Sequence, residues 1–199
     1  MLANYLHQLD ESLDDDTDVA IQDQILLYAS ENRDAFIEEV HKLPPDQFDK
    51  LNDIYEVLAD DPDSWADFFL NEIDRLVALA RKSSDPGPII QPLDAFWLIS
   101  LNEDAVELRQ DLLHSFYSNL DDANAIIRRR CVVLTGDLVD KNDFKELDKL
   151  EEMVKKDSDW RVRYLAHQAL EEIHPKRAKR TSLPRWIRLR ARVSNIDYE

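Results

Sequence analysis

Apolar residues recur along most of the chain at spacings of three and four, the interval that lines one face of a helix. Between residues 157 and 173 the rule is unbroken. Val162, Leu165, Ala166, Ala169, Leu170 and Ile173 stand at i, i+3, i+4, i+7, i+8 and i+11. A matching stripe lies 35 residues earlier, formed by Ile127, Cys131, Leu134 and Leu138. Two polar positions repeat at the same offset: Asp122 with Asp157, and Arg128 with Arg163, each arginine directly behind a β-branched residue. A small residue, Cys131 or Ala166, holds the matched centre and lets a neighbouring helix come close. Between the copies, Phe144, Leu147, Leu150 and Val154 predict another helix over 143–156. Helix alternating with helix at a fixed period is the pattern of stacked repeats.

The same spacing predicts helices elsewhere. Leu2, Leu6 and Leu9 suit a short docking helix within 1–16, closed by an acidic break at Asp14-Asp15-Asp16. A helix over 18–30 turns Val19, Ile21, Ile25, Leu26 and Ala29 inward, and one over 32–42 carries Phe36, Ile37, Val40 and Leu43. Pro44-Pro45 ends it, and Pro45 opens a helix to about residue 59. Asp63 or Ser64 caps a long helix to about residue 82 with Trp65, Phe69, Ile73, Leu76 and Ala80 on its stripe. Helices over 92–101 and 103–119 follow. Ser83-Ser84-Asp85-Pro86-Gly87-Pro88 is the strongest linker in the chain. Neither half has a self-sufficient core in sequence, so 83–90 reads as a loop inside one domain of 1–174 rather than a seam between two. Residues 175–199 break the pattern as a basic extension.

An Asp followed six residues later by Arg, with Ile or Val before the Arg, on the second helix of a hairpin, resembles the HEAT-repeat signature. The resemblance covers roughly residues 104–173. It implies an all-α fold, a right-handed α-solenoid of stacked antiparallel helical hairpins. It also implies a hydrogen-bonded ladder between adjacent repeats made by Asp122, Arg128, Asp157 and Arg163. The proline often found in the family's first helix is missing from 143–156. If the ladder holds, Arg163→Ala is expected to destabilise more than Arg161→Ala.

Two glycines in 199 residues and prolines placed mostly between periodic stretches suit a helical chain. No apolar run is long enough to span a membrane. Met1-Leu2-Ala3-Asn4 lacks the basic region and apolar core of a signal peptide. With one cysteine, Cys131, on a buried stripe, a reducing cytoplasm is the expected compartment. Charge changes the picture more. Residues 1–125 hold 29 Asp and Glu against 7 Lys and Arg, a net of −22, whereas 126–199 hold 13 against 18. A field of that sign repels nucleic acid and steers basic proteins inward.

Catalytic and metal-binding patterns are missing. His7, His41, His114, His167 and His174 form neither HExxH nor a Cys/His metal spacing. The run from Asp14 to Asp18 lacks the glycine and distal glutamate of a calcium loop. There is no phosphate-binding glycine loop and no GxSxG elbow. No enzyme activity, metal or cofactor is expected. Two basic clusters are candidates for partner contact: Arg129 and Arg130, beside the ladder arginine, and Arg185, Trp186, Arg188 and Arg190 in the extension. The extension either binds phosphates or an acidic surface, or folds back to neutralise the acidic half or cap the last repeat.

The expected function is therefore a non-catalytic protein-binding scaffold or inhibitor, immunity-type in one version, that engages a basic protein. The alternative is nucleic-acid binding or repair on the same scaffold through the basic C-terminal segment. The sequence leaves the oligomeric state open.

Overall fold

The computed structural model describes residues 1–11, 15–102 and 105–194, and among them every regular element is helical. In chain order these are α1 (Leu2–Glu11), α2 (Asp15–Glu31), α3 (Arg33–His41), α4 (Lys50–Leu58), α5 (Ala66–Ala80), α6 (Gly87–Ile90), α7 (Trp97–Leu101), α8 (Val106–Ser118), α9 (Ala125–Leu138), α10 (Phe144–Lys156), α11 (Trp160–Ile173), α12 (Pro175–Arg180) and α13 (Arg185–Val193). Short 3-10 turns precede α4, α5 and α7. Asp14 of the expected acidic break, the first two residues of the expected 103–119 helix and the last five residues of the chain lie outside the described residues.

The 35-residue offset reappears in local geometry. Asp122 Oδ1 accepts the N–H of Asn124 at 2.8 Å, and Asp157 Oδ1 accepts that of Asp159 at 2.7 Å. Asn124 then caps α9 by accepting from Ile126, and Asp159 caps α11 by accepting from Arg161 and Val162. So each repeat copy opens its helix with the same pair of side-chain caps. α8 packs on α9, α10 on α11, and α9 lies against α11 across the two hairpins.

The core does not divide at 83–90. α4 packs against residues 91–96, and α5 against both α6 and α8. A run of ring contacts crosses the same stretch: Phe36 with Trp65, Trp65 with Phe68, Phe68 with Phe69, Phe69 with Phe96, and Phe96 with Phe116, at centroid separations of 5.1–6.2 Å. Most of these pairs meet edge to face, the arrangement that the ring quadrupole favours. Buried apolar residues form one continuous cluster from Leu2 to Ile187.

Three expectations need correction. Val19 is 55% exposed rather than inward, because the buried face of α2 is set by Ile21, Ile25, Tyr28 and Ala29. Phe144, at the first position of α10, is 59% exposed, with Arg177 over its ring. The 92–101 segment is a 3-10 turn over Gln91–Phe96 continued by α7; Pro92 sits at its start, where a missing N–H is tolerated. The residues after Pro175, for which the sequence leaves a fold-back, a cap and a binding surface all open, continue as helix. They form α12 and α13, which pack on α11 through Ala178, Leu183 and Ile187.

α9 approaches α11 tightly at Gly136. A Cβ added there would stand 2.8 Å from the Cβ of Ala169. Gly136→Ala gains about 1 kcal/mol of helix propensity, but overpacking a stiff contact costs about 1–3 kcal/mol. The expected outcome is a net loss of stability, recovered when Ala169→Gly is added. A thermal melt in which Gly136→Ala alone stabilises the protein would show that the two helices can separate without cost.

Candidate functional site

A groove of about 580 Å³ opens beside the paired hairpins. One wall comes from α9 and α11, through Ile126, Arg129, Arg130, Val133, Arg161 and Leu165. These are repeat-related positions: Ile126 with Arg161, and Arg130 with Leu165, each 35 residues apart. The other wall is built from two connections distant in sequence, Pro45, Asp46 and Asp49 before α4, and Asp85, Gly87, Pro88 and Gln91 around α6. Apolar lining with a few charged groups, at this volume, is the character of a binding site.

The arginine wall is largely in use within the molecule. Arg130 is buried and paired with Asp94. Arg129 donates to the Ala125 carbonyl at 3.3 Å, and its guanidinium pKa is lowered by burial and by the neighbouring charges of Arg161, Arg128 and Arg130, against the pull of Asp159. Arg161 stacks on Trp160 at 5.1 Å. The opposite rim is different. Asp46, Asp49 and Asp85 are exposed and have no ion-pair partner among the described residues.

The four expected ladder residues are placed as follows. Arg128, 8% exposed, donates Nε and Nη2 to the two oxygens of Asp157 at 2.9 and 2.8 Å, and Nη1 to the carbonyls of Asp122 and Ala123. This one side chain ties the turn before α9 to the turn before α11. Asp122 is reached from the preceding side by Arg81, whose Nε lies 2.6 Å from Oδ2 and whose Nη2 bonds Asn119. Arg163 donates to the Val154 carbonyl at 2.8 Å, closing the end of α10 onto α11. Burial pushes the Cys131 thiol between these helices up to about 12, so it stays protonated and unreactive.

The extension presents a second surface. Ile187 is buried, whereas Trp186 is 52% exposed and Leu189 50%. Arg190 lies over the Trp160 ring at 4.8 Å, and Arg177 bonds Asp148 and Glu151. Arg185 and Arg188 are exposed, with no ion pair among the described residues. The extension therefore caps the last hairpin with its inner face and keeps most of its cations outward.

Sequence reasoning missed Asp46, Asp49, Asp85 and Arg161. Arg161 carried a signal, since it is the repeat partner of Ile126. The three aspartates carried none. Among the described residues no helix is long and apolar enough to cross a membrane, and no group of three or more His, Cys, Asp or Glu is arranged to hold a metal ion. Compared with protein-family models, with curated proteins and with solved structures, the chain matches none of them.

Proposed function

We propose that this chain is a non-catalytic scaffold, or an immunity-type inhibitor, that holds a basic protein partner in the groove and against the acidic helices beside it. On this reading the α8–α9 and α10–α11 hairpins are HEAT-like repeats of a right-handed array, and the protein works in the cytoplasm. The observation that carries the reading is the contrast between the two rims. Among the described residues Asp46, Asp49 and Asp85 have no ion pair at the mouth, while of the groove arginines Arg130 is tied to Asp94, Arg129 donates to the Ala125 carbonyl and Arg161 lies on Trp160. The groove's unmet electrostatic demand is for cations. The net of −22 over residues 1–125 extends that demand over the surrounding surface and speeds the approach of a basic protein.

The test uses the full chain as bait in a native lysate, with mass spectrometry of what it retains. A basic protein is expected, its capture lost when Asp46, Asp49 and Asp85 are all changed to Lys. These positions are exposed, so the fold should survive. With the identified partner, the association rate should fall by about tenfold or more as salt rises, because charge steering is screened beyond a Debye length of about 8 Å at physiological ionic strength. Capture unaffected by the triple reversal would overturn the groove assignment. A protein that shifts DNA or RNA at near-physiological salt and retains no protein would replace this reading with the nucleic-acid one.

A further inference from the structure

α13 turns an apolar stripe away from the body that it packs on. Trp186, Leu189 and Val193 stand at i, i+3 and i+7, and are 52%, 50% and 88% exposed. Arg185, Arg188 and Arg192 run beside them at the same spacing, exposed and without an ion pair among the described residues. Nine residues thus carry three outward apolar groups and three outward cations. Burial of Ile187 fixes which way the helix faces.

A matching surface exists on the same chain. The outer face of α2 carries Val19 and Leu27, 55% and 56% exposed, with Asp23 between them and Glu31 one turn further on. Neither carboxylate has an ion-pair partner among the described residues. Helical periodicity places Val19, Asp23, Leu27 and Glu31 along one side of α2, on a length comparable with α13. Within one molecule the two faces do not join: α13 packs on α11, whereas α2 packs on α1, α3 and α4.

We propose that α13 of one molecule docks on the outer face of α2 of a second copy. Its arginines pair with Asp23 and Glu31 there, and Trp186 and Leu189 cover Val19 and Leu27. The contact joins unlike surfaces, so each molecule keeps one free face of each kind. Association is therefore head to tail and continues beyond the dimer unless a ring closes it. Two short helix faces bury less than a standard stable interface, which makes the association weak. Two effects of salt oppose each other. The overall charge of −17 repels like molecules at low ionic strength, and the paired charges at the contact are screened at high ionic strength. Self-association is strongest between these limits.

Sedimentation velocity on the full chain, from low micromolar to near-millimolar protein at near-physiological salt, reads this directly. The weight-average mass is expected to rise with concentration without a plateau at dimer. Two variants divide the interface: Asp23→Lys with Glu31→Lys, and Arg185→Glu with Arg188→Glu and Arg192→Glu. Every changed position is exposed, and circular dichroism confirms the fold. Each variant alone should remain a monomer, because its two faces then repel. Mixed in equal amounts they should associate again, since each supplies the face that the other lacks. A wild-type protein that stays monomeric throughout the series overturns the proposal, as does a mixture that fails to associate. So does a monomer whose α13 arginines are instead needed to bind phosphatidylserine vesicles or single-stranded DNA.

Discussion

Glu72→Leu is expected to lower the melting temperature by roughly 6–20 °C, the equivalent of about 3–5 kcal/mol in a chain of this size. Glu72 is 0% exposed, on the inner side of α5. Its carboxylate accepts from Arg75 Nε and Nη2, both at 2.6 Å, and from the Tyr55 hydroxyl, while His41 Nε2 lies 2.9 Å from Oε1. Burial first, and the Glu72 charge second, hold the Tyr55 hydroxyl pKa well above its usual value, so it stays a proton donor at any working pH. Leucine removes the acceptor and leaves a guanidinium and a buried hydroxyl without it. That unpaired remainder supplies most of the loss, because a buried ion pair is worth little against well-packed apolar groups of similar size. Replacing the three most buried members, with Glu72→Leu, Arg75→Leu and Tyr55→Phe together, should recover much of the stability, since the His41 side chain is 41% exposed and can turn to water. A drop under about 2 °C for the single change would mean that water reaches this network and solvates the groups left behind.

Glu72 also shows where sequence reading stops. It lies three residues after Phe69 and four before Leu76, two members of the stripe expected for that helix. A buried carboxylate was thus legible as a polar residue on an apolar face. Of its partners, Arg75 lies within i,i+3 reach on the same helix, but Tyr55 and His41 were not legible, because they belong to other helices and no periodicity relates α3 or α4 to α5. The C-terminal hairpins were more legible for the opposite reason. There the period itself carries the geometry: Asp122 and Asp157 each accept the N–H two residues on, and the side chain of that second residue, Asn124 or Asp159, caps the helix in both copies. The groove falls between these cases. Its α9–α11 wall follows the 35-residue offset, but the opposite wall is assembled from loops that no repeat relates. In the extension, charge was readable and direction was not. Trp186 and Ile187 look alike in sequence, and only packing on α11 turns one outward and the other in.

Of Arg128, Arg163 and Arg161, removal is expected to cost most at Arg128, less at Arg163 and least at Arg161. Arg128→Ala deletes a bidentate pair with Asp157 and leaves the carbonyls of Asp122 and Ala123 without their charged donor. The Asp157 side chain is 8% exposed and would keep only the Asp159 N–H among these contacts, so the loss should approach about 3–5 kcal/mol. Arg163→Ala removes one charged donor from the Val154 carbonyl, worth about 1.5–3 kcal/mol. Arg161→Ala loses a stacking contact at the groove wall, about 0.5–1 kcal/mol. The same order separates two physical accounts of the hairpins. If stacking of α9 on α11 rested on the apolar seam alone, with Ile127, Cys131, Val162 and Ala166 doing the joining, the three changes would cost similar small amounts. If the turns before α9 and α11 are locked by Arg128, its loss should also uncouple the last hairpin. A double-mutant cycle of Arg128→Ala and Asp157→Ala, followed by chemical unfolding, decides between them. A coupling energy of about 1 kcal/mol or more supports the lock. Additive losses, or equal melting shifts for Arg128 and Arg161, would leave the apolar seam as the sole basis of the stack.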